Sequence, residues 1–147
     1  MPHPPDLNVL IAEDNPFDRT ILRRAFAAAG SHATLRFFDN GEDLLVFLRA
    51  SVDEPAKKQG PAFVLLDMHM PRMNGKETLQ HIRRDGRLKP LPVMILTTSD
   101  NEPHVHEMYE LGANSYLVKP NNFDELVATV SGLEGFWFGA ARLPKII

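Results

Sequence analysis

Four apolar runs in this chain each end on residues that could do chemistry. "NVLIA" runs into Glu13 and Asp14, "FVLL" into Asp67, "VMIL" into Thr97 and Thr98, and "YLV" into Lys119. An ionised carboxylate at the end of a buried strand is costly unless a cation pairs with it. Asp67 therefore either stands beside a cation or caps the helix that follows. If the four runs are strands of one sheet, three carboxylates, a hydroxyl pair and one amine meet on a single rim. Carboxylates that close repel and raise one another's pKa values. One lysine cannot balance three of them, whereas a divalent cation can, and all-oxygen ligands at a water-facing edge suit Mg²⁺. Such a site is built for a phosphoryl group. Metal and ammonium would hold its oxygens, the Thr97 hydroxyl would donate to another, and Asp67, from the central strand, would be the in-line nucleophile.

The elements that must position these residues alternate strictly between strand and helix. Strands are expected at 7–15, 33–41, 62–67, 91–100 and 115–120, and helices at 16–30, 42–51, 75–86, 102–114 and 123–138, the last losing its pattern after Gly132. Pro16 suits a first helical turn, with Asn15 or Asp14 as its cap. Residues 52–61 read as an exposed loop. The first, third and fourth strands are nearly unbroken apolar runs, as expected when both faces of a parallel sheet are covered. Right-handed crossovers then bring all strand C-termini to one edge, where such sheets bind ligands. The fold class is α/β, a doubly wound five-stranded parallel sheet in (βα)5 order.

The motifs "IAEDN" (11–15), "LLDMHMPRMNG" (65–75), "ILTTSD" (95–100) and "YLVKP" (116–120) resemble those of two-component response-regulator receiver domains, over roughly residues 7–133. The resemblance implies the flavodoxin-like, CheY-like receiver fold. It also implies that a sensor histidine kinase or phosphotransfer protein phosphorylates Asp67. It assigns Mg²⁺ to Glu13, Asp14, Asp67 and the main-chain carbonyl of His69, and makes Thr97 and Lys119 partners of the phosphoryl group. Tyr116 matches the aromatic switch position coupled to Thr97, and the Lys119–Pro120 bond is commonly cis in this family. Thr98 stands where alanine is frequent. It reads as a packing residue, or else as bulk that limits water access. A narrower resemblance, carried by "EDNPFD" (13–18), the long loop before strand 3, "LTTSD" and "FW" (136–137), is to single-domain receivers serving phytochrome-type kinases. It implies a bacteriophytochrome as the kinase.

Other features bound the function. The chain is 44% hydrophobic and 24% charged, which suits a soluble globular domain of one core. Its formal net charge of −3 gives no attraction to nucleic acid or anionic lipid. No cysteine is present, so disulfides, thiolate metal sites and a cysteine nucleophile are excluded. His104 and His106 fall on different helix faces, so a zinc site is not expected. With no signal-like start and no apolar run near the roughly 20 residues that span a bilayer, a cytoplasmic protein is expected. Residues 1–6 are expected to be a flexible N-terminus and 134–147 an apolar extension. Phe136, Trp137, Phe138, Leu143, Ile146 and Ile147 should not stay in water. Either the extension folds back over its own sheet edge, or Phe136, Trp137 and Phe138 form a homodimer contact, which the resemblance favours. Two other functions are weaker: a scaffold independent of phosphorylation, and an aspartyl phosphatase, which would need a carboxylate where His69 stands. A flavin or nucleotide module is disfavoured, because "AEDNPF" puts negative charge where a phosphate-cradling loop belongs.

Overall fold

Three mainly apolar runs, β1 (Asn8–Ala12), β3 (Ala62–Leu66) and β4 (Val93–Thr97), are buried along their whole length. They fill the middle of a parallel sheet of order β2-β1-β3-β4-β5, with β2 (Thr34–Phe38) and β5 (Ser115–Val118) as its edges. This is a computed structural model, and it describes residues 7–54, 56 and 58–147. The flexible start expected at 1–6 lies outside them.

Alternation along each strand sends successive side chains to opposite faces. Val9, Ile11, Phe63 and Leu65 pack with Leu22, Ala25 and Phe26 of α1 (Pro16–Ala28) and Leu126 and Val130 of α5 (Phe123–Glu134). Leu10, Val64 and Leu66 meet α2 (Gly41–Asp53), α3 (Gly75–Arg84) and Met108 of α4 (Glu102–Glu110). Two layers of helices thus cover the sheet, as its apolar strands require.

The helix starts are set by local side-chain chemistry. Asn15, rather than Asp14, caps α1 by accepting from the amides of Phe17 and Asp18 at 2.8 and 3.1 Å. Asn74 and Glu77 form a reciprocal capping box on α3. Asp67 therefore caps no helix. Two expectations need correction. α2 continues to Asp53, into the stretch read as loop, because Ser51 is buried there and its hydroxyl is satisfied by the Phe47 carbonyl at 3.0 Å. The Lys119–Pro120 bond is trans, like every peptide bond among the described residues.

After Glu134 the helix loosens into a π-helical turn, Gly135–Ala140, which Ala141 leaves in an extended conformation. Phe138 packs on Phe63 with ring centroids 5.0 Å apart, and Trp137 joins the same layer. Ile146 and Ile147 enter the opposite layer, held by the Lys58 ammonium on the Ile146 carbonyl (2.6 Å) and the Gly60 amide on the Ile147 carbonyl (3.1 Å). Residues 141–145 pass Leu7 and Pro61, so the extension straps the N-terminal end of the sheet and ties its two helical layers together. Burying an isoleucine is worth about 1.5–3 kcal/mol, enough for two of them to hold the strap down. Folding back on its own chain thus accounts for Trp137, Phe138, Ile146 and Ile147. Phe136 remains 54% exposed.

Candidate functional site

Three of the chemical residues are held by strand-like hydrogen bonds at the ends of their strands. The Glu13 amide donates to the Phe38 carbonyl (3.0 Å), the Asp67 amide to Ala12 (3.1 Å) and the Lys119 amide to Thr97 (2.6 Å). A parallel sheet in register must therefore deliver them to one edge. Ligand oxygens of Glu13, Asp14 and Asp67 lie within 4.8 Å of one another. Glu13 is buried, Asp14 exposed and Asp67 in between, so the cluster runs from the core to water.

The Lys119 ammonium stands 2.6 Å from Glu13 and 4.0 Å from Asp67. Burial disfavours its charge, yet the carboxylates of Glu13, Asp67 and Asp18 outweigh burial and hold its pKa above the ordinary value. Glu13 shows the opposite balance. Burial pushes its carboxyl up to about 7, and the neighbouring Asp67 adds to this, although Lys119 and the Asn15 amide pull it down. One ammonium thus leaves the carboxylates under-compensated. That electrostatic debt, in an all-oxygen set open to water, fits a small divalent ion. Arg19 braces the same loop, with its Nε donating to the Glu13 carbonyl at 2.6 Å and its guanidinium paired with Asp39.

Thr97 is fully buried, and its hydroxyl has no partner among the described residues. A buried unpaired hydroxyl at this edge has the right chemistry to donate to an incoming oxyanion. Thr98 is exposed, which corrects its reading as a packing residue. The His69 amide donates to the Asp67 carboxylate at 3.3 Å, and its imidazole is outside the carboxylate cluster. Tyr116 is half-buried, and its hydroxyl donates to the Ser99 carbonyl (2.8 Å) in the loop after Thr97 and Thr98. That loop is held a second time by the 2.9 Å contact between Ser99 Oγ and His104 Nδ1. Of the residues expected from sequence, Glu13, Asp14, Asp67 and Lys119 converge directly, Thr97 lines the same edge, and Tyr116 stands behind it. Trp137 and Phe138 pack within the strap, and Phe136 is left at the surface.

Sequence reading missed Asp18. One turn into α1, its carboxylate is 3.5 Å from Lys119. Nothing in a linear pattern separates it from an ordinary acid in a helix's first turn. A cavity of about 640 Å³ opens beside the cluster between Phe17, Ile21, Arg24, Pro120 and Phe123. The recess lined by Glu13, Asp67 and Lys119 is itself small, about 10 Å³.

A five-stranded parallel α/β sheet with a cation-hungry acid cluster, an adjacent lysine and an orphaned hydroxyl defines a class of phosphoryl-handling signalling modules. The chain belongs to the response regulator receiver domain family, which matches residues 9–131. It is 33% identical over 142 residues to the response regulator Rcp1 of Synechocystis, covering 97% of this chain and 95% of Rcp1. The structure of the Mn(2+)-bound form of Rcp1 superimposes with a TM-score of 0.79, at 31% identity over 93% of this chain and 98% of that one. The response regulator RPA3017, in red light signaling of R. palustris, gives a TM-score of 0.84 at 37% identity, covering 93% of this chain and 97% of that one. The phosphorylated cyanobacterial phytochrome response regulator RcpA gives 0.83 at 30%, covering 95% and 99%. The chain is thus a two-component receiver, a signalling protein homologous to phytochrome-associated response regulators. Among the described residues no helix is long and apolar enough to cross a membrane.

Proposed function

We propose that this receiver takes a phosphoryl group from a sensor histidine kinase onto Asp67, with Mg²⁺ held by Glu13, Asp14, Asp67 and the His69 carbonyl. The observation that carries the reading is the convergence of three carboxylates within 4.8 Å on a rim served by one lysine. Bound Mg²⁺ would neutralise phosphoryl oxygens. Asp67 attacks phosphorus, Lys119 turns from Glu13 towards the new phosphoryl group, and the buried Thr97 hydroxyl gains the acceptor it lacks. The Thr97 displacement is transmitted through the loop to Tyr116, whose bond to Ser99 ties the ring to that loop. The protein turns over no separate substrate, and it works in the cytoplasm.

Likeness to Rcp1, RcpA and RPA3017 supports a bacteriophytochrome as the kinase. A homodimer contact is centred on Phe136, the aromatic residue of the extension left most exposed. Dilution in light scattering tests the dimer, and a concentration-independent monomer ends that part.

The primary test is intact mass after incubation with Mg²⁺ and acetyl phosphate. A gain of about 80 Da, one phosphoryl group, is expected in the native protein and not in Asp67→Asn. Failure of the native protein to gain it, with acid quenching and with kinase supplied, would leave a receiver fold acting as a phosphorylation-independent scaffold.

A further inference from the structure

Lys119 has one charge and three carboxylate neighbours. Glu13 at 2.6 Å and Asp67 at 4.0 Å lie inside the site, with side chains 3% and 12% exposed, whereas Asp18 at 3.5 Å is 39% exposed. Asp18 therefore holds the ammonium from the water side. Its backbone amide donates to the Asn15 cap, and its carboxylate faces Lys119. Together with Leu22, Leu96 and Pro120, these two residues line a narrow cleft of about 110 Å³ at the α1 side of the site.

We infer that Asp18 is a specificity-determining residue that disfavours small, free anionic phosphodonors, an inference that rests on the phosphoacceptor reading of Asp67. A phosphodonor must bring a negative group to the very ammonium that Asp18 already occupies, and Asp18 adds its own repulsion at the entrance. A donor carried by a docked protein offsets that repulsion through the rest of its interface. A free small molecule has nothing to offset it with. The chemical step is the same for both. An Asp67 carboxylate oxygen forms a bond to phosphorus, the bond from phosphorus to the donor breaks, and the donor leaves with the electron pair, as acetate from acetyl phosphate. Asp18 touches neither reacting atom. It sets the field and the position of Lys119.

The test compares native protein, Asp18→Asn and Asp18→Glu with two donors near neutral pH and Mg²⁺ present. Acetyl phosphate is a dianion and phosphoramidate a monoanion, and initial rates of adduct formation are read by intact mass. Removing one unit charge several ångströms from a dianion in a water-like medium predicts a gain of roughly fivefold with acetyl phosphate at low ionic strength. The gain should come from a lower half-saturation concentration rather than a higher saturating rate. It should be smaller for phosphoramidate and fade as salt screens the site, and Asp18→Glu should behave as native. A merely structural loss at the start of α1 would change both donors alike, at every ionic strength. Equal or slower uptake by Asp18→Asn, or a gain indifferent to donor charge and salt, overturns the inference while leaving the phosphoacceptor intact. Absence of any adduct in the native protein removes the phosphoacceptor reading and this role with it.

Discussion

Gly75 opens α3 directly beneath the phosphoacceptor, and Gly75→Ala should damage stability and chemistry together. A Cβ built there would lie 2.3 Å from the Asp67 carbonyl oxygen and 2.8 Å from the Met68 Cα. Ordinary contact begins at 3.4 Å, so the loop must retreat by about 1 Å. Both obstacles are backbone, so no side-chain rotamer can relieve the clash. The Gly75 amide also donates to the Met68 carbonyl at 3.1 Å, which ties the helix start to the segment that must move. Overpacking of this kind costs about 1–3 kcal/mol, and rigid surroundings put it at the upper end. For a domain of this size that lowers the melting temperature by about 6–12 °C. A shift of about 1 Å in the Asp67 backbone carries the nucleophile with it, and misplacement on that scale costs on the order of a hundredfold in rate. Thermal unfolding by circular dichroism and adduct formation by intact mass measure the two effects. Gly132→Ala is the control. Gly132 lies inside α5, and its added Cβ would meet nothing within 4 Å. It should stabilise by about 0.5–1 kcal/mol and leave uptake unchanged. A Gly75→Ala protein that melts within about a degree of native and phosphorylates normally would refute the argument.

Three further outcomes follow from the site and its supports. Thr97→Val removes a buried hydroxyl that has no partner, so the melting temperature should hold or rise, while phosphoryl uptake falls at least about tenfold; a large loss of stability would mean the hydroxyl is satisfied in the resting protein. Between about pH 4.5 and about 7 the folded chain keeps a proton on Glu13 that the unfolded chain has lost, so stability should decline as pH rises through that window. Urea midpoints should show a decline on the order of 2–3 kcal/mol, absent in Glu13→Gln and flattened by Mg²⁺, which binds the deprotonated form. Arg83 donates to the carbonyls of Gly112 (2.8 Å), Lys89 (2.9 Å) and Leu91 (2.8 Å) and to Asn114 Oδ1 (2.9 Å). Arg83→Met strands those acceptors and should cost about 2–4 kcal/mol in urea unfolding, with Arg83→Lys recovering only part because one ammonium cannot span them.

The sequence alone determined the order of elements and the residues that the strand ends bring to the site. In a parallel sheet covered on both faces, strands must be apolar along their length, so polar residues can appear only where a strand ends. The residues that break the runs are therefore the residues of the rim, and Glu13, Asp14, Asp67, Thr97 and Lys119 can be read together from the linear pattern. The cap of α1 was legible to within one residue, Asn15 or Asp14, for a similar reason, because a helix start depends on a few adjacent residues. Tertiary structure alone decided what depends on distances between segments remote in sequence. Asp18 sits in α1 and Lys119 beyond β5, and only the packing of α1 against that edge sets their ammonium and carboxylate 3.5 Å apart. The exposure of Thr98 depends on how the chain leaves β4, which periodicity does not specify. The apolar extension showed that it must be buried but not against what. Its path beneath the sheet follows from a π-helical exit that turns Phe138 onto Phe63 and from the recess that admits Ile146 and Ile147. Local patterns record which side chains avoid water, whereas the surface that shelters them exists only once the chain has folded.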